Sequence, residues 1–296
     1  MSELSKKTKG ILAALVVNVI FGFSFLFSKS ALDYAHPLVI LSARFTVSFL
    51  VLNLLWLFGA FKLNLKGKPK KWILIMALCQ PMLYFTFELY GIENTSSALS
   101  GVIISLVPVA VMILSAVFLR EKPSFSQVLF SMLSLAAVVA ISLLSADGSK
   151  SKLTGIVLLL GAVLCAAVFN ILSRHEAENY SPFERTYIMF LVGAVGFNLL
   201  TFAVLRENWV TEVTAAVCHA EFWTSVLYLS VMSSILAFML YNYSTSVLTP
   251  VMSASFSNLI TVVSVLAGIL ILKEEMSVPQ LVCCTLIILG VFGVNR

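Results

Sequence analysis

Apolar runs of about 20 residues recur along the whole chain. That is the length an α-helix needs to cross a hydrocarbon layer roughly 30 Å thick at ~1.5 Å per residue. A membrane-spanning barrel would instead alternate polar and apolar residues in segments of about ten, and no such segments occur. Hydrophobic residues make up 60% of the 296 and charged residues 11%, with a mean hydropathy of +1.02. A soluble domain carries about 25% charged residues, so a soluble fold is excluded. The fold expected is all-α and integral to the membrane.

Apolar windows set against loop punctuation place ten transmembrane helices at 10–31, 38–61, 72–92, 98–119, 125–145, 154–173, 184–205, 222–242, 249–272 and 278–294. Connections are short, the longest being 206–221, so function must lie within the bundle. The first run is too long for a cleavable signal and lacks a small-residue cleavage site, so it reads as the first span. Of nineteen Lys and Arg, Lys29 and Arg44 fall inside spans, and Arg185, at the inner end of its span, is counted with the loop before it. With the N-terminus in the cytoplasm, Lys150, Lys152, Arg206 and Lys273 lie outside and the other thirteen inside, which places both termini inside. The net charge of +5 is therefore a topology signal rather than a nucleic-acid footprint.

The chain also matches itself. An offset of 145 pairs Gly10 with Gly155, Ser28-Lys29 with Ser173-Arg174, Pro37 with Pro182, and Asn53-Leu54-Leu55 with Asn198-Leu199-Leu200. An offset of 151 pairs Trp72 with Trp223 and Leu89-Tyr90 with Leu240-Tyr241. One of 153 pairs Leu119-Arg120-Glu121 with Leu272-Lys273-Glu274, Ser124 with Ser277, and Gln127 with Gln280. Two five-helix repeats result, over 1–146 and 153–296. An odd helix number per repeat makes the second enter the membrane from the opposite side, an inverted-topology repeat suited to exposing one central site alternately to either face.

With Phe21-Gly22, Lys29, Arg44-Phe45, Pro108 and the Leu-Arg-Glu and Leu-Lys-Glu helix ends, the sequence resembles the drug/metabolite transporter superfamily in its ten-helix EamA-type branch, over nearly its whole length. The resemblance implies secondary-active export of a small metabolite, such as an amino acid or nucleobase, driven by an ion gradient or by exchange. Two positions depart from the family pattern. Phe21 stands where members commonly carry tryptophan, and the counterpart of Arg44 in the second half is Met189.

Ionisable groups inside a span are expensive and mark functional sites by default. Lys29, Arg44 and Glu88 all fall near the outer ends of their spans. Glu88 paired with Arg44 or Lys29 would form an external gate or a proton-coupling site, while snorkelling and helix tying are the bland alternatives. Candidate substrate contacts are Asn18, Ser24, Gln80, Tyr84, Asn170, Tyr228, Tyr241, Ser257 and Asn258. Gln80, Tyr84 and Glu88 recur at helical spacing on one face. Ser253, Ser257, Thr261 or Ser264, and Gly268 form a small polar face whose bland reading is close packing. Pro81, Pro108 and Pro250 are positioned to break helices and free carbonyls. Glu121 and Glu274 read as structural, with Ser124 and Ser277 capping the helices that follow.

Five cysteines show no CxxC pair, and His36, His175 and His219 lack ligand spacing, so no disulfide, metal or cofactor is expected. Multidrug efflux of lipophilic cations is the alternative function: its small-helix type would place an acid in the first span, where residues 10–31 have none, although Glu88 could serve a similar purpose. An enzyme would need paired aspartates, His-Glu-x-x-His or Gly-x-Ser-x-Gly, and a directly ATP-driven pump a phosphate loop. None occurs, so neither class is expected. The expected partners are a small substrate, protons and the lipid bilayer.

Overall fold

The computed structural model describes residues 5–94, 103–120, 122–144, 153–263, 266 and 278–294, and every regular element among them is a helix. The first half supplies α1 (Lys6–Leu32), α2 (Pro37–Leu57), α3 (Lys71–Ala77), α4 (Tyr84–Glu93), α5 (Val107–Leu114) and α6 (Phe125–Leu144). The second half supplies α7 (Leu153–His175), α8 (Pro182–Leu205), α9 (Trp209–Val217), α10 (Ala220–Leu227), α11 (Ala237–Val247), α12 (Pro250–Ser255) and α13 (Val278–Val294). Wide π-type turns join α3 to α4 over Leu78–Leu83 and α10 to α11 over Tyr228–Leu236. Six of the described helices, some built from several of these elements, are long and apolar enough to cross a membrane, and others are shorter and equally apolar.

Local chemistry sets the ends. Ser5 caps α1 by accepting the Thr8 N–H, so the helix begins at Lys6 rather than at 10. His36 caps α2 through its ring, and Pro37 opens the helix where its missing N–H costs nothing. That helix stops at Leu57, short of the expected 61, because Gly59 adopts φ +74 and the chain closes with Gly59 N–H on the Trp56 carbonyl and Ala60 N–H on that of Leu55. The helical run from Ala220 extends to Val247, five residues beyond expectation. Its polar end is kept helical by internal partners, Asn242 and Thr245 both meeting Ser173.

The connection 206–221 is not all loop. Trp209, Val213 and Ala216 share one face of α9; Trp209 packs edge-on to Phe202, and Val213 and Ala216 join a cluster with Phe222 and Val226. The prolines divide. Pro81 sits in the wide turn beside Gln80, whose backbone is extended (φ −144, ψ 118). Pro108 and Pro250 lie in the first turns of α5 and α12, starting helices rather than breaking them.

Helices pair mainly between the halves. α2 packs antiparallel on α8, α1 on α11, α4 on α7, α5 on α12 and α6 on α13. At the centre Phe45 stacks on Phe197 and meets Phe190 edge-on. This approach requires a glycine at 193, where a Cβ would stand 2.9 Å from both Phe45 and Pro81.

Two asparagines at repeat-equivalent positions hold the α2–α8 seam. Ser42 donates to Asn198 Oδ1 at 2.8 Å and Tyr187 donates to Asn53 Oδ1 at 2.9 Å. Each asparagine amide also donates to the carbonyl four residues back, of Phe49 or Ala194. Asn198 further reaches Thr46 at 2.7 Å. Because interhelical hydrogen bonds in lipid average about 0.6 kcal/mol and reach about 1.7, Asn53→Ala is expected to cost near the lower figure and Asn198→Ala, which loses two such bonds, near the upper. Reversible unfolding in mixed micelles should find the two losses additive, since they lie at opposite ends of the seam.

Candidate functional site

Arg44 projects from α2 into the wide turn of the facing helix. Its Nε donates to Ser234 Oγ at 2.8 Å and its Nη2 to Ser233 Oγ at 3.2 Å. The guanidinium also lies over the rings of Phe45 and Phe85, at 5.5 and 5.1 Å. Ser48 and Ser230 complete the clasp, each hydroxyl reaching a carbonyl of the other helix, Ser48 to Ser230 O and Ser230 to Arg44 O. A buried arginine in hydrocarbon must be saturated in this way.

Glu88 and Tyr84 stand one turn apart on α4, and the Tyr84 hydroxyl donates to Glu88 Oε1 at 2.8 Å. Tyr84 packs edge-on to Phe85, the ring under Arg44. Arg44 and Glu88 are within electrostatic range, yet no salt bridge joins them. Arg44 and Glu88 are thus linked through Phe85 and Tyr84 rather than as a direct pair. Tyr241, within electrostatic range of Tyr84, donates to Asn170 Oδ1 at 2.6 Å and stacks on Phe169. Arg44, Tyr84, Glu88, Asn170 and Tyr241 therefore form one polar centre contributed by both halves.

The other candidates lie elsewhere. Asn18 donates to the Ala14 carbonyl, Ser24 to that of Phe21 and Ser257 to that of Ala254, all within their own helices. Tyr228 reaches Ile20 O at 3.1 Å and stacks on Phe27, clamping α1. Asn258 donates to Ser134 Oγ at 2.8 Å and so ties its helix to α6. Gln80 lies at the backbone break before Pro81. The side chain of Lys29 lies outside the described residues, as do Glu121, Ser264, Gly268, Glu274 and Ser277. Ser124 exchanges hydrogen bonds with Gln127 in a reciprocal cap of α6. Among the described residues, no group of three metal-ligating side chains occurs.

A second charged cluster was not foreseen. Arg185 is fully buried and donates to the Ser173 carbonyl and hydroxyl, to the Asn242 carbonyl and to Thr245. Glu176 is also fully buried, its carboxylate 3.6 Å from the His175 ring. Next to it Glu184 is saturated by Lys68 at 2.7 Å and by the N–H groups of Asn64 and Ser181. In sequence Glu184 and Arg185 open the span 184–205 and Glu176 lies in the loop before it. The Ser181-x-x-Glu184 capping box starts the helix at Pro182 and so carries Arg185 inside.

Residues 8–143 and again 153–296 match the EamA-like transporter family. The chain is 34% identical to "Uncharacterized transporter YcxC" of Bacillus subtilis (strain 168), an alignment covering 98% of this chain and 94% of that one. It is 25% identical to an "Uncharacterized transporter" of Archaeoglobus fulgidus, over 97% and 99%. A crystal structure of a protein 17% identical superposes with a TM-score of 0.82 over 96% of this chain and 95% of the other, a likeness of fold.

The seat of Arg44 can be tested by a double-mutant cycle. Hydrogen bonds to a charged group are worth about 1.5–3 kcal/mol, and Arg44→Lys cannot keep the fork on Ser233 and Ser234. Arg44→Lys and Ser234→Ala should each destabilise in that range, the double variant losing clearly less than the sum. Strict additivity in equilibrium unfolding would mean that the bond contributes nothing.

Proposed function

We propose that this chain, which belongs to the EamA-like transporter family, is a secondary-active transporter that exports a small metabolite, an amino acid or nucleobase, by alternating access. Its transmembrane segments number ten, arranged as inverted five-helix repeats over 1–146 and 153–296, with both termini cytoplasmic in the inner membrane of a bacterium. The observation that carries the reading is the exchange of contacts under the repeat offsets. Subtracting 145 from Tyr187 and Asn198 gives Ser42 and Asn53, so the two seam bonds are images of each other. The wide turns obey the same exchange, 78–83 packing on α8 and 228–236 on α2. Antiparallel pairing of equivalent helices is what a two-fold axis in the membrane plane produces.

In this reading Tyr84, Tyr241 and Asn170 hold the substrate between the halves, by a few hydrogen bonds amid aromatic walls. Gln80, Ser257 and Asn258 contact it from neighbouring helices in the alternate state, and Asn18, Ser24 and Tyr228 shape α1 beside it. Glu88 carries the coupling proton, with Arg44 as its electrostatic partner and Lys29 at the outer rim. Protonation of Glu88 weakens its hold on the Tyr84–Arg44 relay and frees the outer end to open.

Two measurements test this. Purified protein is heated with panels of amino acids, nucleobases and lipophilic cations. A ligand at a hundred times its dissociation constant adds about 2.7 kcal/mol of stability, and Tyr84→Phe or Glu88→Gln should abolish that gain for one metabolite class. Stabilisation by lipophilic cations alone would replace metabolite export with multidrug efflux. For topology, Cys218 is exposed whereas Cys79, Cys165, Cys283 and Cys284 are buried or half-buried. A membrane-impermeant maleimide should label Cys218 on intact cells, and labelling only after lysis would invert the proposed orientation.

A further inference from the structure

Where α1 begins, a cavity of about 390 Å³ opens among Lys6, Lys7, Arg174, Ser246, Leu248 and Thr249. Three cations line it, and among the described residues no carboxylate does. We propose that this cavity binds the phosphate of an anionic phospholipid headgroup.

The lysines reach it because of where they sit on α1. Lys6 and Lys7 precede Gly10 by four and three residues and so share its face, and a Cβ on Gly10 would lie 3.1 Å from Val247. This face turns toward the bundle, and past the last packed turn the two lysines line the gap beside Val247 and Leu248. Arg174 comes from the last turn of α7 and is held at the opposite wall by the Ser246 carbonyl, at 2.6 Å. The cavity therefore gathers positive charge from two helices that are far apart in sequence.

A lipid fits better than a free anion. The cavity lies one helical turn beyond Gly10, where the apolar run begins, and so at the level of headgroups. Its floor is apolar, with Leu248 and Met252, and immediately inward α1 exposes Leu12, Leu15 and Val16 to the acyl chains. Basic pockets between transmembrane helices are a recurrent form of lipid site, and the cytoplasmic leaflet carries the anionic lipid. Only the choice of leaflet rests on the proposed topology; the site is independent of what the central cluster carries.

The test uses the full chain in zwitterionic micelles, titrated with phosphatidylglycerol, phosphatidylcholine or inorganic phosphate and followed by native mass spectrometry and unfolding temperature. Phosphatidylglycerol should bind and stabilise more than phosphatidylcholine. Each of Lys6→Gln and Lys7→Gln should weaken it about fivefold, while Lys66→Gln, an exposed basic residue away from the cavity, should not. Equal loss in the Lys66 variant, or unchanged binding in the double Lys6/Lys7 variant, would overturn the site. Stabilisation by inorganic phosphate alone to the same extent would overturn the lipid assignment. Because Lys6 and Lys7 lie outside the packed interior, their variants keep the fold against which binding is read.

Discussion

A helix in hydrocarbon gains little from covering its leucines with those of another helix, since the lipid tails it leaves are equally apolar. Association then depends on close approach and on polar bonds between helices, and this chain spends its small and polar residues there. Gly193 admits Phe45 and Pro81 to the seam, Asn53 and Asn198 bond across it, and Asn258 fastens the helix after Thr249 to α6 through Ser134. The large exposed hydrophobics, such as Leu57, Phe118, Leu199 and Phe292, lie on outward faces where the bilayer replaces a core.

On this nearly symmetric frame the charges are asymmetric. Arg44 is seated by Ser233 and Ser234, whereas its repeat counterpart is the buried Met189, touched only weakly by the Asn242 amide at 3.8 Å. The second half carries its own arginine four residues earlier, at 185, and it too grips the helical run 220–247, through Asn242 and Thr245. That run is thus pinned at two levels by one arginine from each half. Each arginine lies within electrostatic range of a carboxylate, Glu88 or Glu176. The two halves are thus alike in framework and unlike in the charges they bury.

The frame was legible in the sequence because its signals are long-range and redundant. Apolar run length marked helices long enough to cross a membrane, and the identity of Asn53 with Asn198 at an offset of 145 matched residues that the structure sets in equivalent contacts. The Tyr84–Glu88 face was legible from spacing alone. What escaped has a common cause: polar residues at the end of an apolar run read as loop whether water or protein satisfies them. The stretch Asn242–Val247 stays helical because Ser173 and Arg185 supply partners from α7 and α8. Likewise α9 hides in a stretch of mixed polarity, because only Trp209, Val213 and Ala216 meet the bundle. No single-chain periodicity reports a partner on another helix.

The same reasoning bears on where movement is cheap. A regular helix resists bending because each carbonyl is committed to the N–H four residues on, while a wide turn loosens that pattern and leaves carbonyls for side chains. Both wide turns occur where repeat-related helices cross the seam, and that of 228–236 exchanges bonds with Arg44 and Ser48. Partners of this kind can be traded singly, a hydroxyl for a carbonyl, without exposing an unpaired group to lipid. Rocking of the halves would draw on these exchangeable bonds first and leave the Asn53 and Asn198 clasps as the pivot, since each clasp is anchored to its own helix by a bond four residues back.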